Sequence, residues 1–353
     1  MLLISDNTEY ILKNPLTYSR EVNIISKYMK ENPCVWRRRD VIRMKKIFID
    51  GSSGTTGLRI HERLAARGDL ELLTLPEAER KDPGKRQGIM AQADVVFLCL
   101  PDAAAIEAEA LIAHTDAVVL DTSTAHRTAE GWSYGFPELS EERRESICRS
   151  KRIAVPGCHA SGFIALIYPL IEAGILSESA LLTCHSLTGY SGGGKSMIGD
   201  YTASDRSVLL ESPRQYALGQ QHKHLKEMRA ITGLAEMPVF CPIVCDFYSG
   251  MEVTVPLFGK QLQGDAKPAD IREVYRKKYT GPVVTYMDSA DEGGFLAAGR
   301  LSGLDSMMIS VYGNEDRILL TAVYDNLGKG ASGAAIECMN LALGMEPAYG
   351  LEL

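Results

Sequence analysis

Lys46-Ile47-Phe48-Ile49-Asp50-Gly51-Ser52-Ser53-Gly54-Thr55-Thr56-Gly57 is the stretch that decides the fold. Its apolar run reads as a strand, its glycines as a tight turn, and Ile60 and Leu64, four apart and followed by Gly68, as the buried stripe of a helix. The glycine spacing is GxxGxxG. Glycines let the backbone turn sharply and approach a pyrophosphate, whose charge then sits at the positive end of the helix. Strand, loop and helix in this order are the context a dinucleotide-binding turn requires, against a plain tight turn as the alternative. Gly51, Ser53, Gly54, Thr55, Thr56 and Gly57 are therefore the candidate cofactor-binding residues.

Outward from this loop, short apolar runs alternate with helical segments: Leu70 to Leu75, Ala93 to Leu100, Ala117 to Asp121 and Ile153 to Val155. Val95-Val96-Phe97-Leu98 is apolar on both faces, as buried parallel strands are. Residues 44–158 are read as an α/β domain on a doubly wound parallel sheet of Rossmann type. After a helix expected at about Ser161 to Ala173 the pattern changes. Met251 to Leu257 alternates at period two, as in a sheet covered on one face, with further strands expected at Leu181–Leu187, Val283–Met287, Met307–Tyr312 and Ile318–Tyr324. Residues 159–324 are thus expected to form a second, α+β domain on a mostly antiparallel sheet. A last helix, about Gly333 to Leu343, is expected to pack back on the first domain, completing it with residues from about 325 to 353. Residues 1–43 do not continue this pattern. Met44 looks like a second beginning, and the stretch before it, with Glu9, Glu21, Glu31 and Asp40, is too acidic for a transit peptide.

The 353 residues suit two domains at about 150 residues each. A net charge of −7, with no Lys/Arg run beyond Arg37-Arg38-Arg39, argues against nucleic acid or a membrane surface as partner. The longest apolar helical stretch, Phe163 to Leu176, is broken by Pro169 and Glu172 and falls short of the roughly 20 residues that span a bilayer. The eight cysteines are scattered without a CxxC pair, so no metal site is expected, and Cys241 and Cys245 read as core residues. No secretory leader is evident, which points to free thiols in a reducing, cytoplasmic setting.

Val155-Pro156-Gly157-Cys158-His159-Ala160-Ser161-Gly162 places a cysteine after a strand, at the mouth of a helix. Helix N-termini and nearby imidazoles depress a thiol pKa, so Cys158 is the candidate nucleophile, a packed apolar role being the alternative. Cys99 and Cys338 read as core. A thiolate beside a nicotinamide implies attack on an acyl carbon or aldehyde followed by hydride exchange, which requires an acid/base partner. His222 and His224 flank Lys223 and point the same way if that stretch is extended. His159, His185 and His126 compete for the role, while His61 and His114 read as helix-surface residues. Two stretches offer anion sites: Ser186 to Lys195, with Ser191, Gly192 and Lys195, and Asp121 to Arg127, with Ser123 and Arg127. A flexible glycine loop and a surface ion pair are the plainer readings of the two. Downstream of the second strand, Glu77 followed by Arg80-Lys81 leans toward NADP over NAD.

In order along the chain, the glycine loop at 51–57, Leu98-Cys99-Leu100-Pro101, Tyr134-Gly135-Phe136-Pro137-Glu138-Leu139, Pro156-Gly157-Cys158, Gly189 to Lys195, His222-Lys223-His224 and Asn326 to Gly333 resemble N-acetyl-gamma-glutamyl-phosphate reductases of arginine biosynthesis, in their shorter form. These are more distantly related to aspartate-semialdehyde dehydrogenase. The match begins at about Met44. By this resemblance Cys158 is the nucleophile, the His222/His224 segment the acid/base, NADPH the cofactor, and Asn326 and Lys329 help to close the nicotinamide pocket. The family pattern HxHxPE has a proline where this chain has Lys226. The resemblance implies reduction of an acyl phosphate through a cysteine thioester, with phosphate leaving toward Ser123, Arg127 and Lys195, in a homodimer or homotetramer. Aspartate-semialdehyde dehydrogenase, an aminoadipyl-phosphate reductase and a non-catalytic dinucleotide sensor are the alternatives.

Overall fold

The computed structural model describes residues 43–353, so the expected N-terminal extension lies almost entirely outside the described residues. Its first half alternates strand and helix: β1 (Lys45–Asp50), α1 (Thr55–Ala65), β2 (Leu70–Leu73), α2 (Pro83–Met90), β3 (Val95–Leu98), α3 (Asp102–Ile112), β4 (Val118–Asp121), β5 (Ser133–Tyr134), α4 (Glu141–Arg149) and β6 (Arg152–Ala154). The strands form one six-stranded, wholly parallel sheet in the order β2-β1-β3-β4-β6-β5. Apolar clusters cover both faces, so Val95, Val96, Phe97 and Leu98 are all buried. The order reverses between β1 and β3, and ligands of such sheets bind at the strand ends there.

Helix α5 (Cys158–Glu172) leads out of this half. It begins three residues before its expected start, because Gly157 caps it in an extended conformation, its carbonyl accepting from Ser161 N and Oγ. The helix is apolar all round and buried along nearly its whole length, as a helix packed on several sides must be. Pro169, inside it, has no N–H to give the carbonyl of Ala165. Tyr279 Oη donates to that carbonyl instead, at 2.6 Å.

The second half contains β7 (Thr183–Gly189), α6 (Gly194–Thr202), β8 (Arg214–Gln215), α7 (His224–Thr232), β9 (Val239–Cys245), β10 (Met251–Phe258), α8 (Pro268–Lys278), β11 (Val284–Tyr286), β12 (Met307–Gly313) and β13 (Arg317–Tyr324). They make a seven-stranded sheet, β11-β12-β13-β10-β7-β9-β8, antiparallel except at β7–β9 and β11–β12. The parallel pairs are possible because their strands are joined by long connections rather than by hairpins. One large cluster joins α5 to β10, β13, Tyr275 of α8 and Tyr279 just beyond it. The last helix, α9 (Gly333–Ala342), sends Ala334, Ala335, Ile336, Cys338, Met339 and Leu341 into the core of the first sheet. Cys99, Cys158, Cys184, Cys241, Cys245 and Cys338 are free thiols, and Cys148 is not among them. Among the described residues no helix is long and apolar enough to cross a membrane.

Candidate active site

The glycine loop lies where β1 ends, and two of its glycines are fixed by space. A side-chain carbon at Gly51, which has φ +84°, would come within 2.2 Å of the Cys99 carbonyl oxygen, and one at Gly57 within 2.4 Å of the Gly51 carbonyl oxygen. The first turn of α1 has no side-chain cap and no acidic residue, leaving its N–H groups open to an anion. Thr55 Oγ1, on that turn, is buried without a hydrogen-bond partner. An orphaned hydroxyl beside uncapped helix donors fits a bound dinucleotide, whose phosphate oxygens would satisfy both.

Gly54, Thr55, Thr56 and Gly57 open into a cavity of about 420 Å³ that runs to Cys158, His159, His222 and His224. Gly51 supports this loop from beneath, and Ser53 is exposed outside the cavity. Cys158 stands in the first turn of α5, next to the His159 N–H, yet burial pushes its thiol up to about 11, Arg127 and that N–H only partly opposing this. The expected depression of its pKa is thus overturned. The cause is desolvation without a charged imidazole nearby. His159, driven by burial and then by His222, falls to about 3. His222 falls to about 4, through burial and then Lys223 and Arg127, and burial holds His224 well below its ordinary range. Thiol and imidazoles are all neutral at rest.

His222 and His224 do not lie on an extended strand. Lys223 adopts a helical conformation and His224 opens α7, but the rings still converge, 4.6 Å apart and each 5.6 Å from the His159 ring. The His224 N–H donates to His222 Nδ1, while His224 Nδ1 is buried and unpartnered. His159 is held at both nitrogens, by Ser186 Oγ at 2.7 Å and Tyr216 Oη at 2.6 Å. His126 pairs with Asp121 and stacks on Trp132 outside the cavity, and His185 is exposed on β7.

Of the expected anion-binding residues, Arg127 lines the cavity but its guanidinium is engaged on three sides, donating to Val155 O, Thr122 O and Glu227 Oε2. Ser123 donates to Asp121 and does not line the cavity, and Lys195 is exposed beyond it. Ser191 and Gly192 do line it. Ser191 Oγ accepts from Asn326 Nδ2, which leaves the Ser191 proton free to donate. Asn326 also lines the cavity, its Oδ1 accepting from Gly250 N. Lys329 does not, because its ammonium is spent on Glu138 and Glu337.

Glu227 is the residue the sequence reading passed over. It is three positions after His224, on the same helical face, and its carboxylate accepts from Gly157 N, Tyr134 Oη and Arg127 at 2.8, 2.8 and 2.9 Å. It thereby ties the turn before the cysteine to the histidine helix. The HxHxPE pattern itself contains that glutamate. Tyr216 carried no such signal in the sequence.

The described geometry has counterparts. The NAD binding domain of semialdehyde dehydrogenases matches residues 46–147, and the semialdehyde dehydrogenase dimerisation domain matches residues 158–326. The chain is 42% identical over 318 residues to N-acetyl-gamma-glutamyl-phosphate reductase 2 of Nostoc sp., covering 87% of this chain and 99% of that protein. It is 41% identical over 309 residues to the protein of the same name from Pseudomonas putida, covering 86% and 98%. Among solved structures, aspartate semialdehyde dehydrogenase II of Vibrio cholerae shares the fold with a TM-score of 0.65 at 16% identity, over 85% of this chain and 98% of that one. Aspartate semialdehyde dehydrogenase of Candida albicans does so at 0.62 and 16%, over 85% and 98%. The chain belongs to the semialdehyde dehydrogenase family and, within it, to the N-acetyl-gamma-glutamyl-phosphate reductases.

Proposed function

We propose that this chain catalyses NADPH-dependent reduction of N-acetyl-gamma-glutamyl phosphate to N-acetylglutamate 5-semialdehyde and phosphate, a step of arginine biosynthesis. One observation carries the reading beyond the relatives' names: a cysteine at a helix start, neutral imidazoles and an uncapped glycine loop line one cavity. Cys158 Sγ bonds to the acyl carbon as its proton passes to the His222/His224 pair, and the carbon–oxygen bond to phosphate breaks, leaving a thioester. Backbone N–H groups in the first turn of α5 face the oxygen that gains charge. The nicotinamide, when bound, supplies the hydride that reduces the thioester carbon. The imidazolium then returns its proton as the sulfur–carbon bond breaks, restoring the thiol and releasing the aldehyde. The Ser191 hydroxyl and the backbone of the Gly192–Gly194 loop are the donors for phosphate groups of substrate or cofactor, in place of Ser123 and Lys195.

The preference for NADPH over NADH is supported by exposed Arg80 and Lys81 beyond β2. A homodimer or homotetramer is supported by the dimerisation-domain match and is read by light scattering. The decisive assay runs backwards, with N-acetylglutamate semialdehyde, phosphate and NADP, beside Cys158→Ser. Phosphate-dependent formation of reduced cofactor that is lost in the variant, with cofactor affinity retained, is the expected result. Turnover of aspartate semialdehyde instead reassigns the substrate, and cofactor binding without turnover of either makes the chain a dinucleotide sensor.

A further inference from the structure

The segment that carries Glu138 and the distant stretch that carries both Lys329 and Glu337 bring an ammonium and two carboxyl groups together in the interior. Lys329 Nζ donates to both carboxylate oxygens of Glu138, at 2.6 and 2.8 Å, and to Glu337 Oε2 at 2.5 Å. The Lys329 side chain is 2% exposed, and its ammonium lies 4.8 Å over the Phe136 ring. Such a cluster is a poor source of stability, since a packed apolar set of equal volume commonly does as well, so a different reason for it is needed.

The reason lies one residue away. Lys329 belongs to the π-helical turn Gly328–Ser332, a conformation that appears mostly as single turns and often at functional sites. The turn packs against α5, which begins with Cys158, and against α1, the helix of the glycine loop. A side-chain carbon at Gly330 would lie 3.0 Å from Cys158 Cβ and 3.4 Å from its Cα, so the Gly330 backbone lies directly against the cysteine. Glu138 holds the turn from the segment before α4, and Glu337 holds it from α9.

We propose that Lys329 is a positioning residue for the nucleophile: gripped by Glu138 and Glu337, it seats the Gly328–Ser332 turn so that Gly330 packs against Cys158 and covers part of it from water. The burial of Cys158, which raises its thiol, is then partly the work of this turn. The inference rests on Cys158 being the nucleophile, and its test keeps the two questions apart.

The variant is Lys329→Met, and the readings are kcat, the KM for cofactor, and the pH dependence of Cys158 alkylation by iodoacetamide, followed by mass spectrometry. With the turn displaced, more water reaches the half-buried thiol, and its alkylation midpoint moves down toward the ordinary value of about 8.5. The kcat falls by about 10²-fold, the cost of a small misplacement at a reacting centre, while the KM for cofactor stays nearly constant. A folded variant with either the midpoint or kcat unmoved overturns the proposal. If Lys329→Met does not fold, Glu138→Gln replaces it, removing one of the two carboxylate grips, and the same readings decide. Full turnover in Cys158→Ser would sink the proposed reaction, and the alkylation midpoint of Lys329→Met would still decide the role of the turn.

Discussion

Gly157 lacks a side chain because two functional groups occupy the space that one would need. A carbon there would lie 2.3 Å from Arg127 Nη1 and 2.5 Å from His224 Nε2, contacts no real structure tolerates. Its φ of −77° is ordinary, so the constraint is room and not backbone freedom. Gly157→Ala is therefore expected to lower kcat by about 10²-fold, through displacement of the imidazole and guanidinium, and to cost about 1–3 kcal/mol of stability as overpacking does. Steady-state kinetics and urea unfolding check this, and a wild-type kcat would show that neither group needs its place. At this scale the sequence named Cys158 and the two histidines because their residue types and local spacing carry chemistry. It passed over Glu227, whose meaning depends on Gly157 N, Tyr134 and Arg127 arriving from three other segments. It also put a free role on Arg127 and Lys329, since a sequence does not show that a cation is already paired.

The unit of the glycine loop is strand, turn and helix together, and it was legible because every part of it is local. A continuous apolar run made β1, two glycines with no room for a carbon made the turn, and the uncapped start of α1 made the anion site. Thr55→Val removes the one buried hydroxyl of this unit that has no partner. Without ligand the change is expected to be neutral or slightly stabilising, because an unpaired buried hydroxyl is a cost. Cofactor affinity is expected to fall by about tenfold, the loss of one hydrogen bond to a charged group, as read by titration calorimetry. An unchanged Kd would place the phosphates elsewhere. Helix α5 shows the limit of local reading, since its expected start missed the turn that carries the cysteine.

Across the whole molecule, the Lys329 cluster couples α9 and the segment before α4 to the nucleophile's turn, and it titrates. Burial, and then the Glu138 carboxylate, push Glu337 up from the ordinary 4.5 to about 8, with Lys329 opposing. For Lys329 itself, burial works against the ammonium, but the two carboxylates outweigh it and hold the pKa above its ordinary value. The charged or titratable groups around Glu337 are Lys329, Glu138 and the Cys338 thiol. Below pH 4.5 Glu337 is protonated in both folded and unfolded chains. Between 4.5 and 8 the unfolded chain gives up this proton and the native protein keeps it, so rising pH costs stability until about pH 8. In Glu337→Gln that loss is absent. Its stability relative to the parent chain is expected to rise from about pH 5 to about pH 8, by up to a few kcal/mol, as measured by thermal unfolding across that range. A difference constant with pH would refute the assignment.

The sequence by itself determined the parallel sheet, the glycine loop, the helix that returns to the first half and the cysteine's place near a helix start. These are written in short-range periodicity and residue type, which act within one element. Only the tertiary structure decided the charge states and partners within the site. It made Cys158 a neutral, half-buried thiol, spent Arg127 on Glu227, drew Lys329 away from the cavity and brought three histidines together. The two parallel pairs of the second sheet were likewise settled by long connections. Desolvation and ion pairing depend on which distant segments pack around a group, and that environment exists only once the chain has folded.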